Sequence, residues 1–140
     1  MTYAIDTNVI FDILLDVPDY SQAAIDFLSK RMERDSFVAC DVVWAEASAG
    51  FSDKEAFRRR MADFRISFSP MPESASIRAG TIWKMARREL IAAGKPRIAV
   101  VPDFLVAAHA MECADALISR DRGFLRTWFS RLKVIDPMDA

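Results

Sequence analysis

Four acidic residues, far apart along the 140-residue chain, are the strongest candidates for chemistry: Asp6, Glu46, Asp103 and Asp121. Asp6 directly follows a short apolar run, and Asp121 stands two residues beyond another run, which ends at Ser119. Asp103 falls in the first turn of a predicted helix, and Glu46 lies early in another. Carboxylates crowded into one pocket repel one another unless cations neutralise them. Oxygen ligands without a His or Cys cluster favour a hard ion such as Mg²⁺ or Mn²⁺, which suits chemistry on phosphates.

Each acidic residue also has an ordinary structural explanation. A lone Asp after a strand is usually a turn or cap residue, and Asp103 alone would simply be favourable to the dipole of its helix. Glu46 alone would lie on a partly exposed helix face. Asp121 stands between Arg120 and Arg122 and would fit a surface ion-pair cluster. The four positions therefore indicate a site only when they are taken together.

The chain alternates short β-like runs with longer helical patterns, which is typical of βαβ units and a mainly parallel sheet. The predicted strands are 3–5, 37–40, 66–69, 116–119 and 133–135. The predicted helices are 9–15, one from 21, 42–51, one from 53, 73–93, one from 102, and 123–128. Their expected N-caps include Ser21, Asp41 and Asp53.

This pattern predicts one α/β domain over residues 1–140, a three-layer α/β/α sandwich with a central, mainly parallel five-stranded sheet. In open parallel sheets, ligands bind beyond the carboxyl ends of the strands. The four acidic residues belong to loops or helix starts that follow strands. We therefore expect their side chains to converge at one edge of the sheet.

Composition limits the class of protein without naming a function. The apolar fraction of 52% can bury a core, and the formal net charge of -1 gives no overall positive field for nucleic acid. Cys40 and Cys113 belong to no CxxC motif or Cys/His cluster, so reduced thiols are expected. The N-terminus lacks the basic region of a secretory signal, and no apolar run approaches the ~20 residues that span a membrane. A cytoplasmic protein without a membrane partner is expected.

Four ordered sequence blocks resemble those of a PIN-domain protein. They are IDTNVI at 5–10, VWAE at 43–46 before Gly50, PDFLVAAHA at 102–110, and LISRD at 117–121 with Phe124. The resemblance spans residues 3–136. The short, single-domain length makes the chain most similar to VapC-type toxins of bacterial toxin–antitoxin pairs.

The resemblance implies a Mg²⁺- or Mn²⁺-dependent endoribonuclease that holds one or two ions and is the toxin of a type II toxin–antitoxin pair. Its catalytic quartet would be Asp6, Glu46, Asp103 and Asp121. The metal ligands would be Asp6, Asp103 and Asp121, while Glu46 would hold or orient the attacking water. In-line attack would leave a 5′-phosphate and a 3′-hydroxyl.

Polar neighbours are expected to support the quartet. Asn8 and Ser119 match positions that assist the site in relatives, and Ser119 stands where Thr is more usual. After Asp121, Arg122 and Gly123 replace the further acidic residue that many relatives carry before the Phe. This departure leaves open how a second metal or the substrate is held.

The resemblance also implies three partners: an RNA substrate, a cognate VapB-like antitoxin and a second copy of the chain in a homodimer. Candidates for contact with RNA phosphates are Arg120, Arg122 and Arg126, although a solvated surface with dispersed ion pairs would explain them equally well. His109, six residues after Asp103, lies off the helical face of Asp103, and a structural or surface role is expected.

Two other functions fit parts of the pattern. Asp6-Thr7-Asn8 is similar to the nucleophile loop of HAD-type phosphatases, but those need a second Asp where this chain has Asn8. Their downstream Lys has only Lys95 as a candidate, just after a Gly that ends a helix. The other alternative is a catalytically silent PIN-like module that binds a metal or partner without turnover.

Overall fold

The computed structural model describes residues 1–95, 101–121 and 123–140. Its five strands are β1 (Thr2–Ile5), β2 (Ser36–Cys40), β3 (Ile66–Ser69), β4 (Ala116–Ile118) and β5 (Val134–Ile135). They form one sheet in the order β3-β2-β1-β4-β5, and every pairing is parallel. The predicted five-stranded sheet is confirmed, and it is wholly parallel rather than mainly so.

The helices connect these strands and complete the three-layer α/β/α fold. In the described part of the chain they are α1 (Thr7–Leu14), α2 (Ser21–Ser29), α3 (Asp41–Ser48), α4 (Lys54–Asp63), α5 (Glu73–Ala92), α6 (Val101–Cys113) and α7 (Phe124–Trp128). A short 3₁₀ turn at Pro137–Asp139 follows β5. None of the helices in the described ranges is long and apolar enough to cross a membrane.

The strand order reverses next to β1. The chain passes from β1 to β2 and β3 on one side, and then returns to β4 and β5 on the other. In register, Ile5 lies opposite Ile118, so β1 and β4 end at the same level. The Asp6 backbone N–H continues the pairing by donating to the Ile118 carbonyl at 3.0 Å. The crevice beyond these two strand ends is where ligands bind in sheets of this kind.

Burial of apolar side chains on both faces holds the sheet in place. Ile5, Leu117 and Ile118 are at most 1% exposed, as expected for parallel strands covered by helices on both sides. Phe37 of β2 and Phe104 of α6 are equally buried. Each such side chain contributes roughly 1.5–3 kcal/mol relative to exposure. The strand ends beside the reversal therefore rest on a rigid core.

Two of the predicted N-caps are wrong, and one is confirmed. Tyr20, not Ser21, precedes the first turn of α2, and the Ser21 hydroxyl donates instead to Asp16 Oδ1 at 3.1 Å. The N-cap of α3 is Cys40, because the last residue of β2 already has the extended conformation of a cap, and Asp41 lies inside the first turn. Asp53 caps α4 as predicted, its carboxylate accepting from the Glu55 N–H at 2.9 Å.

Helices α5 and α6 pack as an antiparallel pair. Near the start of α5, the Ser74 hydroxyl and the Arg78 guanidinium both bind Glu112, close to the end of α6, at 2.5 and 3.3 Å. On another side of α6, His109 is 1% exposed, and its Nε2 lies 2.9 Å from Ser69 Oγ. Burial lowers the pKa of His109. The histidine thus has the structural role expected from the sequence.

Candidate active site

Asp6 lies at the centre of the crevice, between the end of β1 and the start of α1. Its backbone is extended and its Oδ1 accepts a hydrogen bond from the Thr7 N–H at 2.7 Å, so it caps α1. Its Oδ2 accepts a hydrogen bond from the Ser119 hydroxyl, also at 2.7 Å. The residue is only 8% exposed. The backbone pairing of Asp6 with β4 and the two hydrogen bonds to its carboxylate together fix the side chain in one orientation.

The electrostatics of Asp6 indicate a place that favours a cation. Burial raises its pKa from 3.8 to about 6, although the hydrogen bonds from Ser119 and Thr7 oppose the change. The negative charges of Asp103 and Asp121 raise the pKa of Asp6 further. Burial also raises the pKa of Asp103, and here the nearby charges are those of Asp121 and Glu46. All four predicted acidic residues are therefore brought within electrostatic range of at least one other.

Ser119 and Asn8 connect Asp6 to Asp121. The Ser119 Oγ accepts a hydrogen bond from the Asp121 backbone N–H at 3.0 Å while it donates to Asp6. The Asn8 amide nitrogen lies 3.4 Å from both Asp6 Oδ2 and Ser119 Oγ. The Asn8 carbonyl oxygen accepts from the Arg120 backbone N–H at 3.3 Å. Both residues predicted to support the site lie directly against it.

Glu46 is exposed on α3 and meets the start of α1 through Thr7, whose hydroxyl donates to its Oε1 at 3.0 Å. The sequence pattern predicts no role for Thr7 itself. The only available signal was its place beside Asp6 at a strand end, where polar side chains face the crevice. Thr7 donates to Asp6 with its N–H and to Glu46 with its hydroxyl, so it links the two carboxylates.

The arginines predicted to contact RNA have other neighbours. The Arg120 guanidinium forms an ion pair with Asp12 at 2.7 Å, and Arg126 Nη2 donates to the Val134 carbonyl at 2.9 Å. Arg122 lies outside the described residues. Contact between these arginines and RNA stays a prediction.

The donor set fits a hard divalent cation in its chemistry. The Ser119 hydroxyl and the Asn8 amide nitrogen bind Asp6, and the neighbouring charges are carboxylates. A cation would offset both the burial and the repulsion between carboxylates that raise the pKa of Asp6 and Asp103. As the side chains stand, no three His, Cys, Asp or Glu residues within the described ranges are arranged to hold one ion. The carboxylates thus lie within electrostatic range of one another but are not close enough to share an ion as they stand.

Several solved structures share this fold over nearly their whole length. One is a structure of VapBC2 from Rickettsia felis bound to a DNA fragment from the VapBC2 promoter. A chain of it aligns with a TM-score of 0.69 and 21% identity, covering 96% of this chain and 98% of that chain. For VapBC-1 from nontypeable Haemophilus influenzae the TM-score is 0.67 at 20% identity, covering 99% of each chain. A toxin–antitoxin complex from Klebsiella pneumoniae gives 0.64 at 20% identity, covering 96% of this chain and 97% of that one.

Sequence comparison gives the family. No curated protein matches the chain. The family model described as the PIN domain matches residues 3–129, which include nearly all of β1, the whole of β2 to β4, helices α1 to α7 and all four acidic residues, and end before β5. Nucleases with this domain generally use divalent metals. The match extends over far more than half of the sequence, and the chain therefore belongs to the PIN-domain family.

Proposed function

We propose that this chain is a Mg²⁺- or Mn²⁺-dependent endoribonuclease and the toxin component of a type II toxin–antitoxin pair. The observation that carries the proposal is that Asp6, buried where the strand order reverses, lies within electrostatic range of both Asp103 and Asp121. Burial and these two charges raise its pKa. Family membership and the likeness to chains of toxin–antitoxin complexes support it. Residues 1–140 act as one PIN domain in this proposal.

Asp6, Asp103 and Asp121 hold one or two divalent cations. A bound cation supplies a more acidic water and neutralises charge that develops on the phosphodiester. Since no three acidic side chains in the described part of the chain stand ready to ligate an ion, these carboxylates approach one another only on binding. Ser119 and Asn8 keep Asp6 oriented through that change, because both bind its Oδ2.

Glu46 orients the attacking water. The Thr7 hydroxyl donates to Glu46 Oε1 and so fixes the side chain. The other carboxylate oxygen, Oε2, binds the attacking water. Attack in line with the leaving 3′-oxygen gives a 5′-phosphate and a 3′-hydroxyl. Burial and the negative charges of Asp121 and Glu46 raise the pKa of Asp103, which supports the proposal that Asp103 and Glu46 act on the same phosphodiester.

The proposed partners follow from the same family. An RNA strand is the substrate, a VapB-like antitoxin is the inhibitor, and a second copy of the chain completes a homodimer in the cytoplasm. If the toxin assignment holds, expression of the chain alone arrests bacterial growth, and co-expression of the cognate antitoxin restores it.

The nuclease assignment is tested with purified protein, Mn²⁺ and a panel of structured and single-stranded RNAs. We expect cleavage by the wild type and a loss of at least about 10²-fold in Asp6→Asn and Asp103→Asn, since each removes charge from the metal site. The control is Asp63→Asn, an exposed residue at the end of α4, which should cut normally.

Cleavage that persists in both site variants contradicts the assignment. Mn²⁺ binding by the wild type without cleavage of any RNA would instead favour the catalytically silent module, which the open arrangement of the carboxylates also fits.

A further inference from the structure

Arg120 stands between two residues of the site, Ser119 and Asp121, yet its side chain points to α1. The guanidinium Nε and Nη2 donate to the two oxygens of Asp12 at 2.7 and 3.1 Å. Such paired, charge-assisted hydrogen bonds fix direction as well as distance. Asp12 is 1% exposed, so the whole carboxylate is enclosed by the protein. The pair therefore joins the end of β4 to the interior side of α1.

Two further groups enclose the same guanidinium. Its carbon lies 4.0 Å from the centre of the Tyr20 ring, in the connection between α1 and α2. The Asp136 carboxylate, just after β5, adds a second negative charge within electrostatic range. Arg120 thus connects the ends of β4 and β5 to α1 and to the residues that follow it.

The main chain of Arg120 is bound to α1 as well. Its N–H donates to the Asn8 side-chain oxygen at 3.3 Å, near the first turn of the helix that Asp6 caps. The backbone N–H and the guanidinium of Arg120 are therefore both hydrogen-bonded to residues of α1. Because the site depends on the distance between Asp6 on α1 and Asp121 beyond β4, this attachment sets how closely the two segments approach.

A buried ion pair is weak as a source of stability, because desolvation offsets much of its attraction. Its value here is geometric: together with the hydrogen bonds of Ser119 Oγ and of the Arg120 N–H, it fixes a short irregular segment, Ser119 to Asp121, beside Asp6. Groups that orient metal ligands without touching the metal commonly change metal affinity by 10–100-fold.

We propose that the Asp12–Arg120 pair is a positioning pair that holds the segment from Ser119 to Asp121 beside Asp6, so that the carboxylates of Asp6 and Asp121 can close on a divalent cation. The inference rests on the proposed metal-dependent function of that site. It gives Arg120 an internal role that its sequence position did not suggest.

The test replaces both partners at once, since loss of one would leave a buried charge alone and could unfold the protein. The double variant Asp12→Leu with Arg120→Met removes both charges together and keeps an apolar contact for Tyr20. Its matched control is Glu112→Leu with Arg78→Met, which removes the ion pair between α5 and α6. Arg120→Lys keeps the charge but loses the planar fork.

Two readouts on the full chain separate positioning from simple stability. Mn²⁺ affinity is measured by titration with paramagnetic resonance detection of free Mn²⁺, and amide hydrogen exchange reports on the Asp121 N–H. We expect the Asp12/Arg120 double variant to bind Mn²⁺ at least about ten-fold more weakly. Its Asp121 amide should exchange faster, while amides of β1 keep their protection. Arg120→Lys should fall between this variant and the wild type, and the control should match the wild type.

Unchanged Mn²⁺ affinity in the double variant overturns the inference, whether or not exchange at Asp121 is faster. An equal loss of affinity in the Arg78/Glu112 control overturns it too, because the effect would then be general. RNA cleavage is measured separately. If the wild type binds Mn²⁺ but cuts no RNA, the proposed nuclease function is wrong. The positioning role is then judged by the Mn²⁺ affinities of the variants alone. A wild type that binds no Mn²⁺ overturns both.

Discussion

Asp6 has the most perturbed environment among the acidic residues of the site. Burial and two neighbouring carboxylates raise its pKa to about 6 in the folded chain, from 3.8 when it is exposed. An acid with a raised pKa in the folded state contributes stability that is fully present below about pH 3.8 and is lost as the pH rises through about 6. The ionised Asp6 carboxylate thus lowers the free energy of unfolding of the metal-free protein at neutral pH, and a bound cation would offset this loss.

The substitution Asp6→Asn should therefore stabilise the metal-free protein at pH 8 and change little at pH 4. The difference between the folded and unfolded pKa of Asp6 corresponds to at most about 3 kcal/mol in the free energy of unfolding. Because Asn forms poorer hydrogen bonds here, the gain in stability should be about 1–2 kcal/mol. Urea unfolding across this pH range measures the difference. A wild type that becomes more stable than Asp6→Asn between pH 4 and pH 8, without metal, would contradict the pKa argument.

Side-chain pairings at this scale were the hardest feature to predict from sequence. The Thr7–Glu46 hydrogen bond joins residues 39 positions apart, and the Arg120–Asp12 pair spans 108. Sequence blocks identified the acidic residues because each follows a strand or opens a helix. They carried no information on which polar side chain faces which, since that depends on how distant segments pack.

Helices α1 and α4 each begin at an Asp whose side chain accepts a hydrogen bond from an N–H of the first turn, and α4 lies outside the site. Asp53 accepts from the Glu55 N–H, so Asp53→Ala should lower the free energy of unfolding by about 1 kcal/mol, whereas Asp53→Asn should cost little. Thermal and urea unfolding measure both. Mn²⁺ affinity should not change in either variant, and equal stability of Asp53→Ala and wild type would show that the cap is dispensable.

Element boundaries were predictable to within a few residues where a breaker or an apolar run marked them. The prediction of a helix over 73–93 compares with Glu73–Ala92 in the structure, followed by Gly94 at φ 68°, a left-handed conformation that favours glycine. The predicted helix over 42–51 ends earlier, at Ser48. Beyond it, a Cβ on Gly50 would lie 3.0 Å from the Phe11 ring, a contact between distant segments that no local pattern reveals.

At the scale of the whole molecule, strand order decides which residues can form a site. Alternation of strands and helices predicted a parallel sheet, but not that β4 would pair with β1 on the side away from β2. That arrangement brings Asp6 next to Ser119 and into electrostatic range of Asp121. The resemblance of the four sequence blocks supplied the missing long-range information, because it carries a family's topology along with its motifs.

The proposed function requires that Asp6, Asp103 and Asp121 bind a common divalent cation. A crystal structure of the full chain grown with Mn²⁺, with the metal located by its anomalous scattering, shows directly whether they do. We expect a manganese peak in the crevice beyond β1 and β4, with oxygens of all three carboxylates at about 2 Å from the ion, or one bridging water away. A peak elsewhere on the molecule, or a crevice that stays without metal at millimolar Mn²⁺ while the three carboxylates remain apart, would contradict it.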